Sequence, residues 1–466
     1  MVNAATPQAS LFSSELIAKY DLAGPRYTSY PTAAQFSDGY TVQDYTAAAL
    51  ASNHAGAELS LYVHIPFCST VCFYCGCNKV ITKNRAHAAN YLMRLGEEIR
   101  LQGELYDDTR VVRQMHWGGG TPTFLDHAQT EQLMGLLEAH FRCESGPDSE
   151  FSIEIDPRAC QPGTLGHLRS LGFNRVSFGV QDFDPKVQVA VNRLQSQAVT
   201  FGAIQEARDQ GFGSVSLDLI YGLPRQTRAS FARTLSEVIA IRPERLSVFN
   251  YAHLPHLFKS QNRIDASTLP SPAEKLAILD YTIEVLGVAG YQYIGMDHFA
   301  LPHDELARAQ RAGTLHRNFQ GYSTHAGCDL VGLGVSSIGM LEGSYHQNLK
   351  TLPEYYAALD EGRLPVTRGV LLDDDDRLRR HVIMRLVCAQ DLDIAATEAR
   401  FGIMFHDYFA ASLARLAGMA EDGLVEILPG VIRVRDAGRM FLRQICMCFD
   451  RYVGAAEQGT RFSRAI

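Results

Sequence analysis

Residues 59–77 read Leu59-Ser-Leu-Tyr-Val-His-Ile-Pro-Phe-Cys68-Ser-Thr-Val-Cys72-Phe-Tyr-Cys75-Gly-Cys77, an apolar run followed by four cysteines within ten residues. The run 59–65 predicts a buried strand. The chain has 10 cysteines among 466 residues, so a C-x3-C-x2-C spacing is a rare arrangement by chance. Three thiolates on one short loop can fold around one metal centre and leave a coordination position empty. Zinc usually takes two separated ligand pairs, whereas a run of thiolates along one loop suits an iron-sulfur cluster. A cluster with three protein thiolates keeps one iron open to a small molecule, as an enzyme needs and an electron-transfer ferredoxin does not.

Outward from this loop, short apolar runs alternate with longer amphipathic stretches between residues 59 and 300, the pattern of repeated βα units and a parallel sheet. The predicted strands are 59–65, 114–117, 150–155, 175–179, 215–221, 245–250 and a further run at 292–295. Helical periodicity is clearest over 88–102, 130–141, 198–209, 230–241 and 272–286. This α/β pattern fits an incomplete TIM-like (β/α)6 barrel better than a closed eight-fold one, with functional side chains at strand C-termini.

After about residue 370 the pattern changes to helices at 378–388, 394–401 and 407–419. A hairpin of 424–428 and 431–434 around Pro429-Gly430 and a helix from Gly438 follow. Helices followed by a hairpin resemble a winged-helix module; without a basic, aromatic-interleaved surface, a packing or lid role is expected rather than DNA binding. The expected organisation is an N-terminal arm (1–55) with little core of its own, the partial barrel (56–345) and a mainly helical, winged-helix-like C-terminal domain (346–466).

Composition narrows the function classes. With 46% hydrophobic and 20% charged residues, the chain can bury large cores. A formal charge of −8 disfavours nucleic acid and anionic membrane as partners. No apolar stretch is long enough to span a bilayer, and Met1–Pro7 lacks the charged start and apolar core of a signal peptide, so a cytoplasmic protein is expected, with monomer as the default state. Cys143, Cys160, Cys328, Cys388, Cys446 and Cys448 read as buried small apolar residues and reduced thiols. Asp373–Asp376 read as a solvated cap on a helix starting at Arg377.

Polar residues recur at the predicted strand ends. Trp117-Gly-Gly-Gly-Thr-Pro122 follows the second strand, and its glycines let the backbone approach a ligand closely. Glu154 ends the third strand, where a carboxylate can accept from ribose hydroxyls or an amino group. Gln181 lies beyond the fourth strand, Asp218 lies in the fifth, and Asn250-Tyr-Ala252 ends the sixth.

The cysteine loop, with aromatic Tyr74 before its third cysteine, resembles that of the radical S-adenosylmethionine (SAM) superfamily. The further set Pro25-Arg-Tyr-Thr-Ser-Tyr-Pro31, Cys77, Trp117–Thr123, Arg317-Asn-Phe-Gln-Gly-Tyr322 and Gly332-Leu-Gly-Val-Ser-Ser-Ile338 is similar to the oxygen-independent coproporphyrinogen III oxidase family, across nearly the whole chain. The resemblance implies a [4Fe–4S] cluster on Cys68, Cys72 and Cys75 and two SAM molecules. Tyr62, Gly119, Glu154 and Ile338 would contact the SAM on the cluster. Tyr74, Gly120, Thr121, Gln181, Arg193, Asp218 and Ala252 would contact the second. It implies oxidative decarboxylation of coproporphyrinogen III to protoporphyrinogen IX, two propionates becoming vinyl groups, with an electron donor as partner. Cys77 is expected as a required neighbour of the cluster, not a ligand. Because the substrate carries four carboxylates, Arg26, Arg317 and Gln320 are candidate contacts, with Gln320 expected to be essential for turnover.

Three competing readings remain: a heme-binding chaperone of the same superfamily, another radical SAM enzyme such as a methyltransferase, and a zinc-binding regulatory protein. Cys77 and the Arg-Tyr-Thr-Ser-Tyr-Pro arm argue against the chaperone, since both are typical of the oxidase family.

Overall fold

Six parallel strands follow one another in both sequence and space: β1 (Leu59–Ile65), β2 (Val111–Gly119), β3 (Glu150–Ile155), β4 (Arg175–Gln181), β5 (Ser214–Tyr221) and β6 (Arg245–Asn250). This is the partial barrel that the alternating pattern predicts. The computed structural model describes residues 14–20, 22–146 and 148–453. The reading of Met1–Pro7 lies outside the described residues.

Two of the helices between strands begin where short polar side chains satisfy the first free amides. Asp126 accepts from Gln129 N ahead of α1 (His127–His140), and Gln129 answers the Asp126 amide. Thr227 does the same with Ser230 ahead of α2 (Arg228–Ile241). Along the strands the pleat sorts side chains. In β4, Val176, Phe178 and Val180 are buried while Ser177, Gly179 and Gln181 are half-buried; in β5, Ser216 and Asp218 take the half-buried positions. Period-two alternation thus directs one apolar face outward against helices and gathers small and polar groups on the other. In β1 only Tyr62 escapes full burial.

A seventh parallel strand, β7 (Asp329–Leu333), pairs with the outer edge of β1, with Tyr62 opposite Gly332. The sequence pattern does not separate it from the loop motif around Ile338, because glycines interrupt its apolar run. Antiparallel β8 (Ile338–Leu341), β9 (Ser344–Asn348) and β10 (Val366–Leu371) extend the sheet beyond it. A Cβ on Gly332 would stand 2.8 Å from the Ile338 backbone, so this close approach requires glycine.

The chain divides into two compact units, one of Ala33–Pro270 with His325–Asp373, the other of residues up to Thr32, Ser271–Thr324 and those from Asp374 on. This differs from the three consecutive segments expected. In the first unit, helix Val42–Ala55 is part of the barrel unit: Tyr45 is fully buried, bonds Gln102 and Tyr106, and packs tilted against the His346 ring with centroids 4.1 Å apart. In the second unit, Tyr27 and Tyr30 are buried in a core shared with Leu378, Leu386 and Phe449. Tyr27 donates to Asp450 at 2.9 Å, and Arg443 holds the Pro25 carbonyl at 3.1 Å. The arm has little core of its own, as expected, and adds side chains to a core built mainly by later residues.

The winged-helix-like reading is matched by helices Asp374–Ala389, Ile394–Phe401, Phe405–Tyr408 and Ala410–Glu421 and a three-stranded antiparallel sheet of 391–393, 431–434 and 425–428. The predicted helix 407–419 breaks at Phe409, whose ring is buried against Phe405 (4.8 Å) and Phe449 (5.5 Å). Residues 292–295 form a strand, but it pairs with antiparallel His298–Ala300 and is not a barrel βα unit. Asp374, not Arg377, starts the next helix. Asp373 and Asp374 are exposed as expected, but Asp376 is buried and paired with Arg451 and Tyr452, and Asp375 binds Arg379, Tyr408 and Arg451, so the last two carboxylates knit a core edge instead of capping in solvent. Cys328, Cys388, Cys446 and Cys448 are buried as expected, whereas Cys143 and Cys160 are only half-buried.

Candidate active site

The C-terminal ends of the barrel strands enclose a cavity of about 590 Å³, within the range that takes a small-molecule ligand. Cys68, Cys72, Cys75 and Cys77 line it on one side. The loop that carries them is pinned by its backbone. Asn192 Nδ2 donates to Val71 O (2.7 Å), Gln261 Nε2 donates to Tyr74 O (2.9 Å), and Ser260 Oγ and Lys79 Nζ donate to Cys75 O (3.1 and 2.9 Å). Phe73 and Tyr74 pack against a buried cluster of Val187, Val191, Leu223, Tyr251 and Ile264. Side-chain anchors from several elements thus fix a loop that has little regular structure.

Among the described residues, no three His, Cys, Asp or Glu side chains converge on a single-ion site. A cluster does not need such convergence, because each of its irons takes a separate thiolate. The donor set on this loop, three cysteines and no imidazole, fits iron-sulfur ligation. Burial raises the Cys68 thiol to about 11 despite the Thr121 hydroxyl at 3.5 Å. Cys77 lowers the Cys75 thiol against its burial and is itself raised by Cys75, so one proton is shared between them. Of the three predicted ligands, Cys68 therefore depends most on the charge of a bound metal to form its thiolate.

Together with the cysteines, Gly119 at the end of β2, Gly120 and Thr121 just after it, Glu154 next to the end of β3, and Gln181, Arg193 and Asp218 from β4, its following segment and β5 line the same cavity. Gly119 has φ +108°, and an added Cβ would lie 2.5 Å from the His64 ring, so only glycine fits. Its amide donates to Glu154 (3.2 Å), which also receives His116 Nε2 at 3.4 Å. Burial resists ionisation of Glu154, but His116, the Gly119 amide and His64 outweigh it and hold the carboxyl below its ordinary range. The side chain is nevertheless 44% exposed, because it opens into the cavity. Burial, then the charge of Glu154, raises Asp218 to about 6, moderated by the Ser247 and Ser177 hydroxyls. The two carboxyls in one cavity thus titrate apart, Glu154 below its ordinary range and Asp218 at about 6.

Gln181 adopts φ +68°, and its buried Oε1 has no hydrogen-bond partner. Arg193 is 6% exposed, donates to Gly179 O at 2.6 Å and Asp156 at 3.3 Å, and leaves its Nε without a partner. Such unsatisfied buried groups at the cavity wall mark places where a ligand completes the hydrogen bonding.

Three predicted contacts are not among the residues lining the cavity: Tyr62, Ala252 and Ile338. Tyr62 stacks 6.0 Å from His116 and bonds His64 Nδ1 at 3.1 Å, whereas Ala252 reaches the cysteine loop only through Gln261, which binds its carbonyl at 3.2 Å. Asp156 and Arg158 also line the cavity and were not singled out by the sequence. Asp156-Pro-Arg158 looks like an ordinary cap, and Asp156 does accept from Arg158 N at 3.0 Å.

Comparison with known proteins joins this geometry to a family. A model of the Radical SAM superfamily matches residues 62–238, and one of the HemN C-terminal domain matches residues 372–441. The oxygen-independent coproporphyrinogen III oxidase of Pseudomonas aeruginosa is 52% identical over 98% of this chain and 99% of its own length. The chain belongs to the oxygen-independent coproporphyrinogen III oxidase family. The oxidase of Escherichia coli K12 is 50% identical over 97% of this chain and 98% of its own. A solved structure described as "Coproporphyrinogen III oxidase (HemN) from Escherichia coli is a Radical SAM enzyme" covers 95% of this chain and all of its own, at 48% identity and a TM-score of 0.91.

In this oxidase-family chain the remaining candidates lie in the second unit. Arg317 and Gln320 sit on the hairpin of His316–Asn318 and Gly321–Ser323. Arg317 is 4% exposed and lies 4.7 Å over the Tyr322 ring, with Nε and Nη1 unbonded, and the buried Nε2 of Gln320 likewise has no partner. Arg26 faces Asp297 at 3.9 Å.

Proposed function

We propose that this chain converts coproporphyrinogen III to protoporphyrinogen IX by radical SAM oxidative decarboxylation, in heme and porphyrin biosynthesis. One observation carries the reading: the C-x3-C-x2-C thiols line a single cavity together with a glycine turn, Glu154 and the unsatisfied polar groups of Gln181 and Arg193. Each propionate must lose one hydrogen atom from the carbon β to its carboxylate, one electron and carbon dioxide. No side-chain base has a pKa useful for an unactivated C–H bond. Bound together, a [4Fe–4S] cluster and SAM supply an electron and a carbon-centred radical able to take that hydrogen.

The chain's own residues bind and orient. Cys68, Cys72 and Cys75 hold the cluster, and Cys77 stays beside it as a required neighbour. Glu154 and the Gly119 backbone receive the SAM on the cluster, with Tyr62 and Ile338 flanking. Gly120, Thr121, Gln181, Arg193, Asp218, Tyr74 and Ala252 receive a second SAM, so that each propionate has its own. Arg317, Gln320 and Arg26 receive substrate carboxylates and pyrrole groups, for which the unbonded Nε and Nη1 of Arg317 are suited. The cluster is reduced by an external electron donor, and the chain acts as a cytoplasmic monomer. Among the described residues, no helix is long and apolar enough to cross a membrane.

The test is anaerobic. The purified chain is reconstituted with iron and sulfide and given a reductant, SAM and coproporphyrinogen III. The expected result is protoporphyrin fluorescence after oxidation of the product, together with methionine and deoxyadenosine. Tight heme binding without vinyl product would replace this reading with the chaperone, and zinc without iron or sulfide would replace it with the regulatory protein.

A further inference from the structure

Among the four cysteines that line the cavity, the thiols of Cys68 and Cys72 have unequal surroundings. Cys68 Sγ receives one neutral donor, the Thr121 hydroxyl at 3.5 Å. Cys72 Sγ receives two cationic ones, Arg158 Nη2 at 3.4 Å and Arg193 Nη1 at 3.6 Å. Both guanidiniums are steered by a single carboxylate: Arg158 Nη2 lies 2.6 Å and Arg193 Nη1 3.3 Å from Asp156 Oδ2. Asp156 also accepts from Arg158 Nε and its backbone amide, both at 3.0 Å, so the Arg158 fork is held in one orientation. One carboxylate between two guanidiniums leaves net positive charge beside Cys72.

We propose that Arg158, oriented by Asp156 and joined by Arg193, is a positioning residue that raises the electron affinity of the cluster through hydrogen bonding to Cys72 Sγ. The proposal rests on the reading that Cys68, Cys72 and Cys75 hold a [4Fe–4S] cluster. The physics follows from charge. When one electron from the external donor enters the cluster, negative charge on its sulfurs increases, and N–H donors aimed at a thiolate stabilise the reduced form more than the oxidised one. Cys72 is buried and the Arg158 and Asp156 side chains are only 20% and 15% exposed, so screening between them is weak. No proton transfer accompanies the step at Arg158, because a guanidinium stays charged at all accessible pH. Arg193 already has a proposed SAM contact, which makes Arg158 the cleaner side chain to change.

The experiment compares reconstituted wild type, Arg158→Gln and Arg158→Lys by spectroscopically monitored redox titration without SAM or substrate, with iron and sulfide content measured in parallel. At a fixed ambient potential, the reduced-to-oxidised ratio in the Gln variant is expected to fall about tenfold, equivalent to a midpoint about 59 mV more negative for a one-electron couple. The Lys variant keeps the charge but loses the fork, and its midpoint is expected to lie between. Equal midpoints at equal cluster content would overturn the proposal. So would a Gln variant whose SAM affinity drops while its midpoint stays in place, which would make Arg158 a ligand contact. If the Gln variant takes up no cluster, the Lys midpoint decides by the same criterion. A wild-type chain that takes up no iron and sulfide would instead overturn the reading of the cysteine loop.

Discussion

Two buried arginines, one in each unit, are in opposite circumstances. Arg193, in the barrel unit, places both terminal nitrogens, on Gly179 O, Asp156 and Cys72 Sγ, and leaves only Nε without an acceptor among the described residues. Arg317, on the hairpin of the other unit, is slightly more buried, yet two of its nitrogens have no acceptor among the described residues. An uncompensated buried charge is costly, by several kcal/mol, unless a partner completes it. The first arrangement is built to be finished by soft sulfur, with its geometry set before any ligand arrives. The second waits for an anion, as a receptor for a carboxylate-bearing substrate would.

The largest effect that would break this contrast is at the thiol. Cys72→Ser is expected to take up no stable [4Fe–4S] cluster and to lose all measurable vinyl product, checked by iron and sulfide analysis beside product fluorescence. Gln320→Ala comes next: turnover should be lost while iron content matches wild type, and near-normal turnover would remove Gln320 from the site. Arg317→Gln should then raise KM for coproporphyrinogen roughly 10- to 100-fold, the equivalent of about 1.5–3 kcal/mol for a hydrogen bond to a charged group. An unchanged KM would mean that Arg317 serves only its stack on Tyr322.

A pH effect sharpens the barrel side of the comparison. Asp218 is raised to about 6, above its ordinary 3.8. The fold therefore favours its protonated form, and its contribution to stability falls as pH rises from 3.8 through 6. A ligand that needs the carboxylate reverses the preference. Binding of the second SAM should weaken about tenfold per pH unit below 6, each unit being worth about 1.36 kcal/mol, and Asp218→Asn should bind weakly and without that slope. Calorimetric titration at several pH values checks both. The smallest expected effect is at Cys77: Cys77→Ser should keep its cluster, and loss of iron would make Cys77 a ligand.

The barrel was largely legible because its strands are local apolar runs. The predicted limits 59–65, 150–155 and 245–250 match β1, β3 and β6 residue for residue. Polar residues at strand ends were visible by the same logic, since Glu154, Gln181 and Asp218 interrupt runs that burial otherwise makes apolar. What escaped had non-local causes. The helix around 407–419 breaks because the Phe409 ring is drawn into a core with Phe449, forty residues away in sequence. The arm looked coreless because Tyr27 and Tyr30 find their partners more than 400 residues away in sequence, at Asp450 and Arg451.

By itself, the sequence determined the ligand chemistry and the class of fold: thiolate spacing is a property of ten consecutive residues, and the alternation of strand and helix is a property of local periodicity. Only the tertiary structure decided which groups share the cavity and in what electrical state. The rise of Asp218, the depression of Glu154 and the two guanidiniums on Cys72 depend on distances between separate strands and loops, and charge interactions follow distance and burial, which no short window of sequence contains.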